Sequence, residues 1–142
     1  MSAPQLAALA ARTAEPHVML RRFLALDALV TGTNAVAYLL AAGPLARFLG
    51  VGSGLLLGLG LVLAVYAGAV GGLASRRQPS ALPVRVVIEV NLAWAVLSCV
   101  ALILWLTPST AGTVWALLQA AVVAGFAVLQ HVSLKARQLI VE

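Results

Sequence analysis

The sequence predicts an all-α polytopic membrane protein, an antiparallel bundle of four transmembrane helices. Three observations carry this. First, 63% of the 142 residues are hydrophobic and 9% charged, against about 45–50% and about 25% in an ordinary soluble domain. Too few polar side chains remain to cover a soluble surface. Second, the apolar residues gather into four runs, each near the roughly 20 residues that a helix needs to cross a bilayer core. Third, the basic residues flank these runs instead of forming a face of their own.

Residues 1–20 read as an N-terminal arm, cytoplasmic or interfacial. Ser2 to Ala11 is alanine-rich, no positive charge precedes it, and Arg12 follows it. That order does not fit a secretory signal, whose charge comes first. Residues 21–133 form the membrane domain, with spans at about 23–42, 55–74, 86–106 and 113–132, and 134–142 form a cytoplasmic tail. The runs are about twice the length of a barrel strand and do not alternate in polarity, so helix is expected throughout.

The first span is expected to end at Gly43-Pro44. Pro44 to Gly50 then reads as a short helix at the outer interface, with Arg47 extending its charged head to water. Pro79 and Pro83 bracket the second connection, and Pro108 and Gly112 mark the third. Proline cannot donate to a helix ladder and biases its predecessor out of helix. Short connections make sequential helices antiparallel neighbours.

Orientation follows from the arginines and lysines. Arg12, Arg21, Arg22, Arg76, Arg77, Arg85, Lys135 and Arg137 fall on one side, and Arg47 alone falls on the other. The eight are expected to face the cytoplasm, with both termini there, in the inner (plasma) membrane of a bacterial cell. An anionic leaflet attracts each nearby Lys or Arg by roughly 1 kcal/mol. The formal net charge of +5 is then a matter of topology, and nucleic acid is not an expected partner.

Polar groups inside spans point most directly to function, because lipid burial is costly for them. In the first span Asp27, Thr31, Asn34 and Tyr38 follow at steps of four, three and four. At 100° per residue they lie within about 60° of one another, so the stripe should face other helices. Two roles compete for it. One is interhelical hydrogen bonding, worth about 0.6 kcal/mol per bond on average. The other is a binding groove or proton path that starts at Asp27.

Asp27 and Glu89 are placed one to two turns inside the cytoplasmic ends of their helices. Arg85 precedes Glu89 by four residues, a spacing at which the two can pair. Asp27 has no such neighbour and is expected to find Arg85, Arg76, His131 or water. A cytoplasmic-side polar layer of Arg22, Asp27, Arg85, Glu89, Gln130 and His131 results, either as a structural staple or as a substrate or proton site. Asn91 is 200° from Glu89 around the helix and shares a side with Trp94, Ser98 and Trp105. Gln119 shares a side with Phe126 and Gln130, and its depth makes Asn34 its expected partner. Trp105 and Trp115 are expected to anchor the outer interface.

The second span is uncharged and rich in small residues. Gly60, Ala64, Gly68 and Gly72 recur every four residues, with Ala67, Gly71 and Ser75 nearby. Such ridges let backbones approach closely. The contact is either within the chain, against the first or third span, or between two copies. The halves 21–77 and 84–137 also echo each other: Arg22, Asp27 and Asn34 against Arg85, Glu89 and Asn91. The acid-to-asparagine spacing differs, seven residues against two. An old duplication and the shared demands of any four-span chain both account for the echo.

The glycines from Gly50 to Gly58 lack the preceding strand and following lysine of a phosphate loop. No serine has a nucleophile-elbow context. No Cys, His and carboxylate cluster has metal-ligand spacing, and Cys99 is the single cysteine. No cofactor is expected.

Leu26-Asp27-Ala-Leu-Val-Thr31-Gly-Thr-Asn34-Ala-Val-Ala-Tyr38-Leu39 resembles the first-helix signature of small, uncharacterised bacterial four-helix membrane proteins. Val86-Val-Ile-Glu89-Val-Asn91-Leu-Ala-Trp94 and Trp115-Ala-Leu-Leu-Gln119-Ala-Ala-Val-Val123 are similar to later parts of that pattern. The resemblance covers about residues 20 to 131. It implies fold and location, and brings no reaction, ligand or partner. In size the chain is also similar to small multidrug exporters, but their essential carboxylate is a glutamate at mid-helix.

Three functions are compatible with these residues. The chain is expected to be a non-enzymatic accessory or scaffold protein that touches the lipid bilayer and binds lipid, another membrane protein or itself. A small proton-coupled transporter using Asp27 and Glu89 is the alternative. A membrane redox subunit is the third.

Overall fold

The computed structural model describes residues 2–6 and 15–141. Among them there is no strand. The helices are α1 (Pro16–Leu40), α2 (Ala42–Leu49), α3 (Ser53–Ala74), α4 (Ala81–Leu104) and α5 (Thr110–Val141). Four of them, all but α2, are long and apolar enough to cross a membrane. They pack as a bundle. Their outward faces carry large apolar side chains in the open, among them Leu29, Leu40, Val65, Ile103 and Trp105. Such a surface suits lipid and not water. The chain therefore has the character of a multi-pass membrane protein.

Each spanning helix outruns its apolar core. α1 starts at Pro16, seven residues before the expected boundary, because proline at the first helical position loses no hydrogen bond. α4 starts at Ala81, so Pro83 sits in its first turn and not in the connection. Gly43 and Pro44 likewise lie in the first turn of α2, after a bend at Ala41. Gly112 falls in the first turn of α5. Residues 3–6 form a helical turn, begun by a reciprocal pair of bonds between Ser2 and Gln5. The remainder of the arm, including Arg12, lies outside the described residues.

α1 is the hub. It packs extensively on α3 and also on α5, and α5 packs on α4. α3 and α4 barely touch. The order around the bundle is thus α3, α1, α5, α4, with an open seam between the ends of that series. The inward face of α1 reads Leu20, Leu24, Asp27, Ala35 and Tyr38, spacings of three, four and their sums, as one helix face requires. α4 turns in Val84, Val87, Ile88 and Asn91. α5 turns in Ala120, Ala127, Gln130 and Leu134.

The apolar core falls into two clusters. One, at the arginine-rich end, joins Leu20, Leu24, Val70, Val84, Ile88 and Leu134 with their neighbours. The other, at the Arg47 end, joins Ala35, Tyr38, Ala46, Leu49, Leu56 and Leu63.

Both ends are tied by hydrogen bonds to helix termini and connections. The Arg21 Nε donates to the Ala74 carbonyl at 3.1 Å, where α3 ends. The Arg137 guanidinium donates to the Pro79 carbonyl at 2.6 Å. At the opposite end the Ser109 backbone N–H donates to the Leu49 carbonyl at 3.1 Å. The Ser109 hydroxyl donates to the Phe48 carbonyl at 2.8 Å. The contact is close enough to need two glycines. Gly50 has a φ of 71° and a Cβ there would strike the Ser109 backbone, while one on Gly112 would overlap the Leu49 carbonyl.

The small-residue ridge of α3 differs from expectation. Gly60 packs against Leu39 and Tyr38 of α1. Ala64, Gly68 and Gly72 are exposed, and a Cβ on either of those two glycines would meet nothing within 4 Å. The α1–α3 contact instead runs through Gly32 against Ala67 and Gly71 against Ala28. A four-residue step advances 400°, or 40° beyond one turn. The ridge that starts inside at Gly60 has consequently rotated out of the seam by Gly68.

Candidate functional site

Between the two apolar clusters lies a polar network that links all four spanning helices. Asp27 is 1% exposed, Asn91 1% and Gln130 0%. The Asp27 Oδ2 accepts from the Asn91 Nδ2 and from the Gln130 Nε2, each at 2.8 Å. Its Oδ1 accepts from the Thr31 hydroxyl at 3.2 Å. The Asn91 Nδ2 also donates to the Gln130 Oε1 at 3.1 Å. The Tyr66 hydroxyl, from α3, lies 2.9 Å from the Asn91 Oδ1 and 3.2 Å from the Val87 carbonyl. No buried side-chain polar atom among the described residues lacks a partner.

The network differs from the expected layer in membership and depth. Because α1 begins at Pro16, Asp27 lies eleven residues into it, roughly 16 Å along the axis at 1.5 Å per residue. Arg22, Arg85 and His131 are exposed, and no ion pair joins any of them to Asp27 among the described residues. Amides and a hydroxyl serve the carboxyl instead. Glu89 is exposed on the far side of α4 and forms no ion pair with Arg85. Of the six members of the layer, the structure brings together Asp27 and Gln130, and it adds Thr31 and Asn91. The echoed pairs also part here: Asp27 and Asn91 are inside, while Glu89 is outside.

Tyr66 is the member that reading the sequence missed. Its signal was a single tyrosine in a helix of aliphatic and small residues. A hydroxyl carried into such surroundings seeks a partner.

Two cavities adjoin the network. The smaller, about 80 Å³, lies beside Asp27 and is lined also by Thr31, Asn34, Tyr66, Asn91 and Gln119. Asn34 and Gln119 face this one space without bonding to each other; among the described residues, neither side chain makes a hydrogen bond. The rings of Trp94 and Phe126 complete its wall.

The larger cavity, about 400 Å³, continues toward the Arg47 end between α3, α4 and α5. Leu63, Trp94 and Gln119 line both. Its wall is aliphatic and aromatic, and all three tryptophans of the chain, Trp94, Trp105 and Trp115, belong to it. Leu55, Leu97 and Trp105 on its rim are exposed, and the gap between α3 and α4 gives it a side opening. Trp115, expected as an interface anchor, is half-buried, and its indole N–H donates to the Tyr38 hydroxyl at 2.8 Å.

No lining residue of either cavity is basic. Among the described residues no three or more His, Cys, Asp or Glu side chains gather as a metal site would require.

The chain was compared with protein-family models, with curated proteins and with solved structures, and none of them matches it. Function has to be read from the geometry of the chain itself.

Proposed function

We propose that this chain is a non-enzymatic accessory protein of a bacterial cell membrane that holds a lipophilic molecule in the cleft between α3 and α4. The observation that supports this reading is the 400 Å³ apolar cavity with a side opening toward the surrounding lipid. Its volume falls within the usual range of about 300–1,000 Å³ for small-molecule pockets, which are mostly apolar with a few placed polar groups. Here those groups are Ser98 and Gln119 in the wall and the Asp27 network at the end. The bundle around the cleft is held by hydrogen bonds that leave the pocket walls free to receive a ligand.

The positive-inside distribution supports both termini on the cytoplasmic side, so the wide end of the cleft faces the outer leaflet. The proton-coupled transporter remains the second reading. It is favoured by one observation: Asp27 lines the cleft and has no basic partner among the described residues. Glu89, outside on α4, has no place in that path.

Tryptophan fluorescence tests the lipophile reading directly, because all three tryptophans line the cavity. Purified protein in a mild non-ionic detergent is titrated with 12-bromododecanol, whose bromine quenches indole on contact. Saturable quenching that survives Trp105→Phe, which removes the exposed rim indole, supports an internal site. Quenching that rises linearly and vanishes with Trp105 would leave the protein without an internal site.

A further inference from the structure

The cleft joins an apolar chamber to a carboxyl that has no counter-charge among the described residues. Asp27 is 1% exposed, and its three hydrogen-bond donors, Thr31, Asn91 and Gln130, are all neutral. Buried charges in proteins are ordinarily paired, since desolvation of an unpaired ion is costly. The usual partners are absent from the walls, because neither chamber is lined by Arg, Lys or His. Thus a cation that reaches Asp27 meets no competitor, whereas a phosphate or carboxylate head meets nothing to pair with. The remaining wall of the 80 Å³ chamber is suited to a small cation. Asn34 and Gln119 offer amide oxygens that make no other hydrogen bond among the described residues, and Tyr66, Trp94 and Phe126 offer aromatic surface.

We infer that the cleft selects a lipophilic primary ammonium: the –NH₃⁺ head in the small chamber at Asp27, the hydrocarbon chain in the large one. This rests on the lipophile reading above and gives it a ligand class. A primary ammonium has three donors and no acceptor. Asp27, Asn34 and Gln119 supply three acceptors around one space. The head is compact enough for 80 Å³, and the chain runs past Leu63, Trp94 and Gln119 into the chamber that opens between α3 and α4. A zwitterionic phospholipid would have to leave its phosphate among apolar and acidic walls, and is excluded on charge.

The test uses 12-bromododecylammonium against 12-bromododecanol on the full chain in non-ionic detergent, read by tryptophan quenching. The two probes share chain and bromine and differ in the head. The ammonium is expected to saturate at a concentration at least about tenfold below the alcohol, as a charge-assisted hydrogen bond at a desolvated carboxylate implies. Asp27→Asn, which keeps the size of the side chain, should bring the two within about twofold. Equal saturation of wild type by both probes overturns the ammonium inference and leaves the lipophile reading standing. Saturation by neither overturns both. The wild-type comparison decides the matter even if Asp27→Asn does not fold. If that variant folds and keeps the preference for ammonium, Asp27 is not the counter-charge and the inference fails.

Discussion

Asn91 on α4 donates one side-chain amide to the Asp27 carboxylate at 2.8 Å and to the Gln130 oxygen at 3.1 Å. Its own oxygen lies 2.9 Å from the Tyr66 hydroxyl. One asparagine thus touches each of the other three spanning helices. It is also the principal polar link across the seam where α3 and α4 otherwise barely meet.

Asn91→Leu should therefore cost more than any other single substitution in the network. Asp27 and Gln130 each lose a partner while buried, and the half-buried Tyr66 loses one as well. Unsatisfied buried groups cost about 1–3 kcal/mol, and interhelical bonds in membranes average about 0.6 kcal/mol. A loss of roughly 1–3 kcal/mol is expected in reversible unfolding from mixed micelles. Tyr66→Phe, which removes only the link to α3, should cost about 1 kcal/mol or less.

Glu89→Gln serves as the contrast. Glu89 is exposed, on the opposite side of α4 from Asn91, and its neutralisation should change stability by less than about 0.5 kcal/mol. Asp27→Leu should destabilise clearly in the same assay, because two amides and a hydroxyl lose their acceptor. Equal effects of the two substitutions would contradict the placement of the acids.

Glycine substitutions separate the two faces of α3. Gly60→Leu drives a side chain into Leu39 and Tyr38 and should unfold or splay the α1–α3 pair. A Cβ at Gly68 meets nothing within 4 Å, so Gly68→Leu on this exposed face should leave the monomer intact by thermal melting. If Gly68→Leu instead changes the oligomeric state in crosslinking, the exposed ridge is a seam between copies.

The connection between Ser109 and Leu49 should be equally intolerant. In Gly112→Ala the new methyl overlaps the Leu49 carbonyl, a backbone atom that no rotamer change can move. Loss of the α2–α5 contact should then appear as faster amide hydrogen exchange over residues 45–51, with the arginine-rich end unaffected.

Cysteine accessibility checks the orientation. In a Cys99→Ala background, a cysteine at Arg47 should react with an impermeant maleimide added outside spheroplasts. One at Arg77 should react only after lysis. The reverse pattern would place the cleft mouth on the cytoplasmic side.

Composition and hydrophobic run length alone determined that the chain is helical and that it carries four helices long and apolar enough to cross a membrane. Those features follow from the thickness of a bilayer and from backbone groups that lipid cannot satisfy. The sequence also marked Asp27, Asn91 and Gln130 as polar residues in apolar surroundings. It did not pair them, because helical periodicity gives each residue an angle on its own helix and says nothing of which helix stands opposite. That depended on the order of packing, with α1 as hub and α3 apart from α4. It depended as well on the rotation of each helix, which turns Asp27, Asn91 and Gln130 inward and leaves Glu89 outside. The cleft itself is a property of tertiary structure alone, since it is made of what three helices leave unfilled between them.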